Sequence, residues 1–245
     1  MKRFHKQLIV AHRGASGLVE HENTLEAFTK AIEVQADCIE LDVRKTKDQQ
    51  MVVIHDDNIQ GNLVKDLNYV DLLAITDNLG YHLPLLKEAL VLVKGKIMVD
   101  VEIKEVGYEK ELIDLIHQHL NNDEFMMRSF EDEALLAVKK YDKQIVTALL
   151  LGKEKPKHVL WTRLTELFPA FRLWRCRADY VSPYYRLLRL CYVARMQFIK
   201  KPVSVWTVND QDMIRKYLKM KVSSLVTNYP DLGLKIREEL ATTKK

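Results

Sequence analysis

Nine short apolar runs, at residues 8–12, 38–43, 51–55, 97–104, 124–129, 144–150, 179–182, 203–207 and 224–227, recur along the chain with amphipathic stretches between most of them. Strand-length runs alternating with helix-length segments are the pattern of a parallel sheet joined by crossover helices. Only residues 44–50 separate the second run from the third, fewer than the ~10–12 that a right-handed crossover needs. Residues 51–55 are therefore expected to form an extra β-hairpin strand. The other eight runs match the eight places of a closed α/β barrel of the TIM (β/α)8 type, although an open doubly wound sheet satisfies the same pattern. The chain has 245 residues, 47% of them hydrophobic and 29% charged. That is enough to fill one such barrel, so residues 1–245 are expected to be a single domain.

Several classes of protein are disfavoured. Three cysteines, Cys38, Cys176 and Cys191, form no CxxC pair, which argues against a disulfide framework and a thiolate zinc site and fits a reducing cytoplasm. The N-terminal segment carries Lys2, Arg3 and Lys6, but its apolar run reaches His12 and Arg13 too soon for a secretory leader. No stretch approaches the ~20 apolar residues of a membrane-spanning helix. The net charge of +4 conceals an asymmetry: residues 157–201 contain ten Lys or Arg and two acids, and the remainder of the chain is net negative.

Alternate residues of a strand share a face. Glu40 and Asp42 must therefore point one way, into the barrel, while Ile39, Leu41 and Val43 meet the helices. In the run 97–104, Asp100, Glu102 and Lys104 likewise share one face. Glu40, Asp42, Glu102 and Lys104 all lie toward the C-terminal ends of their strands, where barrels place their chemistry. Clustered carboxylates repel, and hard oxygen donors hold a divalent cation. Asp100, deeper in its strand, reads as a hydrogen-bonded core acid. His12 closes the first run and His55 the third, so both imidazoles can reach the same mouth, where one can remove a proton and the other donate one. Arg13 can grip a phosphate bidentately. Trp206 either walls the pocket or fills the core. Asn23, with Glu26 three residues on, reads as the N-cap of a helix running to about residue 36.

Taken together, Ala11-His12-Arg13-Gly14, Glu22-Asn23-Thr24-Leu25-Glu26-Ala27-Phe28, Glu40-Leu41-Asp42-Val43, Val53-Ile54-His55-Asp56, Glu102-Ile103-Lys104 and Val205-Trp206-Thr207-Val208-Asn209 resemble the glycerophosphodiester phosphodiesterase family. The resemblance extends to Leu83-Pro84-Leu85-Leu86, Ser129-Phe130 and Thr227-Asn228-Tyr229-Pro230-Asp231. It implies a metal-dependent, PI-PLC-like phosphodiesterase barrel. It further implies a Mg²⁺ or Ca²⁺ ion on Glu40, Asp42 and Glu102, acid–base roles for His12 and His55, phosphate contacts from Arg13 and Lys104, and a substrate channel lined by Trp206. Asn23 would brace the loop after His12. The chain departs from the family at His21, where a proline is usual, at Lys221-Val222-Ser223-Ser224, which replaces a Gly-rich turn, and at a shortened Gln60-Gly61-Asn62-Leu63.

The expected activity is hydrolysis of a small-molecule glycerophosphodiester to an alcohol and glycerol 3-phosphate. The nucleophile, water or a neighbouring substrate hydroxyl, stays open, as does the choice of acid and base between the histidines. Aromatic residues such as Trp161, Phe168, Phe171 and Trp174 interleave with arginines in residues 157–201. This mixture reads either as barrel helices with aromatic core faces and solvated arginines, or as a peripheral contact with an anionic membrane that would admit lysophospholipids. No nucleic-acid-binding module accompanies it. A non-catalytic phosphodiester-binding barrel is the other class of reading, and the paired histidines argue against it.

Overall fold

The computed structural model describes residues 6–153, 158–189 and 191–242, so Lys2, Arg3, Lys157 and Leu190 lie outside the described residues. All nine apolar runs contain strands. In chain order these are β1 (Leu8–Ala11), β2 (Cys38–Lys45), β3 (Met51–Val53), β6 (Met98–Ile103), β7 (Phe125–Ser129), β8 (Val146–Leu151), β9 (Tyr180–Pro183), β10 (Ser204–Val205) and β11 (Ser224–Thr227). Between β3 and β6, β4 (Asn58–Ile59) and β5 (Asn62–Leu63) form a small antiparallel hairpin. Gln60 and Gly61 at its tip have φ of 50° and 89°, the left-handed pair that a two-residue hairpin turn requires. This hairpin is the shortened segment seen in the sequence.

Eight strands form a parallel barrel in the order β10, β11, β1, β2, β6, β7, β8, β9. Isolated parallel bridges Val181–Val203 and Tyr184–Trp206 close the ring between β9 and β10. β3 lies outside it, antiparallel to β2 with Val53 opposite Val43, because the five residues before it allow a hairpin and no crossover.

Side-chain alternation sorts the strands into an outer and an inner face. Ile39, Leu41 and Val43 of β2 and Val99, Val101 and Ile103 of β6 point outward, into a core shared with Phe28 and Ala31 of α1 (Leu25–Glu33), with α3 (Leu86–Val93), with α4 (Glu109–His117) and with α5 (Asp132–Tyr141), while α2 (Tyr69–Asn78) packs through Leu72 in a separate cluster with Val52. A second core lies behind β8 to β11. It includes Leu173 of α7 (Ala170–Cys176), Tyr192 of α8 (Tyr192–Phe198) and Ile214 of α9 (Gln211–Lys219). Inside the barrel, Leu8, Val10, Cys38, Met98 and Val226 make an apolar floor. One step up, Glu40 pairs in register with Asp100, and Asp42 with Glu102. The interior therefore passes from apolar to charged in the direction of the strand C-termini.

The N-cap of α1 is Thr24 and not Asn23: the Thr24 hydroxyl accepts from Ala27 N at 3.1 Å. Asn23 stands at φ 56° and points into the barrel. The helix ends at Glu33, three residues short of the expected end, because the chain turns at Gln35 with φ 60°. Lys221 likewise adopts φ 58°, carrying out with a side chain the turn for which glycine is more usual.

Asp37 ties the ends of the described chain together. It accepts from Ile9 N at 2.8 Å and pairs with Lys6 at 2.6 Å and with Arg237 of α10 (Pro230–Thr242). Burial alone would raise its pKa, but the bonds from Ile9, Lys6 and Arg237 hold it below the usual carboxylate range. A depressed carboxylate pKa contributes stability that is complete above the unfolded value of about 3.9 and is lost as pH falls toward the folded one. Asp37→Asn is accordingly expected to lower the thermal midpoint at neutral pH and to flatten its decline between about pH 4 and pH 2, as read by circular dichroism melts.

Candidate active site

At the C-terminal ends of the strands the barrel opens into a cavity of about 520 Å³. His12, Arg13, Glu40, His55, Glu102, Lys104 and Trp206 all line it, and the buried Asp42 lies beside them. The structure therefore brings together the eight residues expected to bind metal or substrate or to move protons. Each arrives for a local reason: His12 is the residue after β1, Glu40 and Asp42 are inward positions of β2, and Glu102 ends the inward face of β6. His55 lies two residues beyond β3, where Arg44 grips its carbonyl with Nε at 2.9 Å and Nη2 at 2.7 Å.

The carboxylates are set close. Glu40, Asp42 and Glu102 each offer an oxygen, and these atoms all lie within 4.8 Å of one another. Burial, reinforced by the charge of Asp42, pushes Glu40 up to about 8 and Glu102 up to about 7. Burial acts on Asp42 too, but Lys104 and Arg13 hold it below the usual range. Three buried anions that cannot all ionise comfortably, with oxygen donors at this spacing, are a donor set that a divalent cation would relieve. Lys104 Nζ lies 3.1 Å from Asp42 and 2.7 Å from Glu102. Asn23 holds Asp42 from the side, its Nδ2 donating to Oδ2 at 2.8 Å.

A two-residue left-handed bend follows His12, with φ of 54° at Arg13 and 81° at Gly14. A Cβ on Gly14 would lie 2.6 Å from the backbone of Ala27, so the loop packs tightly on α1. The bend turns Arg13 N toward Glu40 Oε2 at 3.0 Å. The Arg13 side chain reaches Glu22 at 2.5 Å, while its buried Nε lies 3.3 Å from Asp42 without making a hydrogen bond.

The two imidazoles differ. His12 Nδ1 lies 2.8 Å from Asn228 Oδ1, just beyond β11. An amide oxygen only accepts, so the proton sits on Nδ1 and Nε2 keeps its lone pair, 3.5 Å from the Thr207 hydroxyl. Burial and the neighbouring Arg13 lower the His12 pKa to about 3, which keeps the ring neutral. His55 is more open. Its Nδ1 meets Asp56 at 2.6 Å, and burial together with Lys104 lowers its pKa.

Sequence reasoning passed over several residues that the fold brings here. Arg128 of β7 is fully buried under the mouth and donates through Nε to Asp100 at 2.7 Å and through Nη2 to the other oxygen. Asp100 is thus the core acid anticipated, and its partner was detectable as the one arginine in a largely apolar run. Phe130 and Tyr184 pack their rings on Trp206, 5.6 and 5.4 Å away. Trp206 Nε1 donates to Ser182 O at 2.7 Å, so Trp206 walls the cavity and also joins β9 to β10. Asn228 was legible only as part of a motif.

A barrel whose mouth holds an acidic cluster, five cationic side chains and two histidines is built to act on a phosphoric diester. The sequence profile of the glycerophosphoryl diester phosphodiesterase family matches residues 12–232, and the chain belongs to that family. A glycerophosphodiester phosphodiesterase of Bacillus altitudinis is 31% identical over 255 residues, covering 95% of this chain and 98% of that one. Among solved structures, a glycerophosphodiester phosphodiesterase of Thermotoga maritima superposes with a TM-score of 0.77 at 26% identity, covering 95% and 99% of the two chains. A phosphodiesterase of Oleispira antarctica, solved with its product sn-glycerol-3-phosphate, superposes with a TM-score of 0.80 at 20% identity over 95% of this chain and 97% of that one.

Removing one member of a buried ion pair strands the other in the interior, at a cost of about 3–5 kcal/mol. Asp100→Ala is expected to destabilise the fold by that amount in urea unfolding. Asp100→Leu combined with Arg128→Met should recover most of the loss, and the separate variants should not.

Proposed function

We propose that this barrel hydrolyses glycerophosphodiesters to an alcohol and glycerol 3-phosphate. Glu40, Asp42 and Glu102 would hold one divalent cation, Mg²⁺ or Ca²⁺, which when bound withdraws charge from the phosphate oxygens. Arg13 and Lys104 bind the phosphate and Trp206 lines the channel for the rest of the substrate. The observation that carries the reading is His12: a half-buried, neutral imidazole whose Nε2 lone pair is fixed by Asn228, in the same mouth as three carboxylates. A pure binder needs no such oriented proton acceptor. Charge balance agrees, since three carboxylates, one divalent cation, Arg13, Lys104 and a phosphodiester monoanion sum to zero.

In this reading His12 Nε2 takes the proton of the attacking oxygen, from water or from a neighbouring hydroxyl of the substrate. As the bond from phosphorus to the leaving oxygen breaks, His55 supplies that oxygen with a proton. The carboxylate of Asp56 beside His55 Nδ1 orients the ring and opposes part of the lowering by burial and Lys104. The product seen in the Oleispira enzyme supports glycerol 3-phosphate as the phosphate-bearing fragment. A second substrate reading is lysophospholipase D-type cleavage of lysophospholipids, favoured by the exposed apolar surface of α6 (Val159–Leu167) and α7.

The test is hydrolysis of glycerophosphocholine, glycerophosphoethanolamine and lysophosphatidylcholine with Mg²⁺, Ca²⁺ or EDTA. Activity should vanish in EDTA and return with one of the cations. His12→Ala should lower kcat by about 10²–10⁴-fold, Glu40→Ala should raise the metal concentration needed, and Asn228→Leu should lower kcat less than His12→Ala with little change in KM. Wild-type activity unaffected by EDTA, or unchanged in His12→Ala, would overturn the assignment, and the preferred substrate separates the soluble from the lipid reading.

A further inference from the structure

Helix α6 is turned inside out. A barrel helix ordinarily sets its apolar stripe against the core and its charges toward water. In α6 and its C-cap, Leu160, Trp161, Leu164 and Phe168 share an arc of roughly 100°, and all are exposed, Leu160 at 88% and Trp161 at 65%. The one buried residue of the helix is a carboxylic acid, Glu166.

Glu166 fixes that orientation. Its Oε1 accepts from Gly152 N at 2.8 Å and from Lys153 N at 3.0 Å, and both of those residues line the active-site cavity. Its Oε2 meets Arg163 at 2.6 Å. Arg195 of α8 adds a bond to Leu167 O at 2.8 Å. The polar face of α6 is thus satisfied by the rim of the mouth, and the apolar face has no place inside. On α7, which begins two residues after Phe168, Phe171 and Trp174 are exposed too, their rings 6.1 Å apart. Contiguous exposed apolar surface marks a site of contact, and scattered single side chains do not.

Charge decides what covers it. Arg175, Arg186 and Arg189 are exposed, and residues 157–201 hold ten bases against two acids, with Arg163, Arg172 and Arg175 paired to Glu166, Asp132 and Glu133. A second copy of the chain would set exposed arginines against exposed arginines. Tryptophan, phenylalanine and leucine beside arginine are the composition of elements that lie in the headgroup region of an anionic bilayer. We propose that α6 and α7 form a docking face for an anionic lipid bilayer, held by Glu166 at a fixed position beside the active-site mouth. The docking face is independent of which phosphodiester is cleaved, because it concerns where the enzyme resides and not what it hydrolyses.

Cosedimentation of the full chain with phosphatidylcholine vesicles, with and without phosphatidylglycerol, tests this without turnover. Binding to the anionic vesicles is expected, weakening as salt rises. Trp161→Ser and Trp174→Ser should each reduce it by at least about tenfold, and Arg175→Gln and Arg189→Gln by roughly fivefold each. All four should keep the circular dichroism spectrum, the thermal midpoint and the rate on glycerophosphocholine, so that loss of binding is distinguished from loss of fold. Absence of binding to anionic vesicles, equal binding to neutral ones, or variants that bind like the wild type would overturn the proposal. So would concentration-dependent dimerisation that Trp161→Ser abolishes in sedimentation velocity, which would assign the face to a second copy.

Discussion

Mutual repulsion among Glu40, Asp42 and Glu102 is the constraint around which the upper half of the barrel is arranged. Three carboxylates in a buried volume a few ångströms across are tolerable only if positive charge is held close. The chain supplies it from three directions: Arg13 from the bend after β1, Lys104 from the end of β6 and, one layer down, Arg128 from β7. Asn23 gives up the helix cap to hold Asp42, and Thr24 takes the cap one residue later. The left-handed bend at Arg13 and Gly14 answers the same demand, because it turns a backbone amide onto Glu40.

Much of this was legible in the sequence, for a physical reason. The period of two in a strand fixes which side chains share a face, so carboxylates at 40 and 42 and at 100 and 102 had to enter the barrel once the intervening residues were apolar. The short gap before β3 excluded it from the parallel ring. Less legible was whatever depends on backbone conformation or on pairing across the barrel. Neither Asn23 nor Thr24 announces which of them will cap α1, since both residue types do so readily and the choice is made by Asp42, about twenty positions away. Arg128 could be noticed as a charge in an apolar run, but its bond to Asp100 depends on β6 and β7 being neighbours.

The aromatic residues of 161–174 show where periodicity alone misleads. A helix with an apolar stripe is ordinarily read as packing that stripe inward, which is the simpler reading of this segment. In α6 the inward position is already taken by Glu166, whose oxygens satisfy two backbone amides at the cavity rim. Polar demand at the mouth outweighs the apolar preference of the helix, and Leu160 and Trp161 are left in solvent. The same rim is supported by the join between β9 and β10, where Trp206 both walls the cavity and bonds to Ser182.

The bond from His12 to Asn228 spans 216 positions of the chain. His12 is synthesised well before its orienting partner, which is in place only after β11 has been made and has paired with β1. At ribosomal rates of about 5–20 residues per second, roughly 10–45 s separate the two. During that interval the carboxylates and the first histidine exist on a nascent chain that has not yet closed into a barrel. The chemistry of the mouth is therefore unassembled on the growing chain, and hydrolytic competence waits on the step in which β11 pairs with β1.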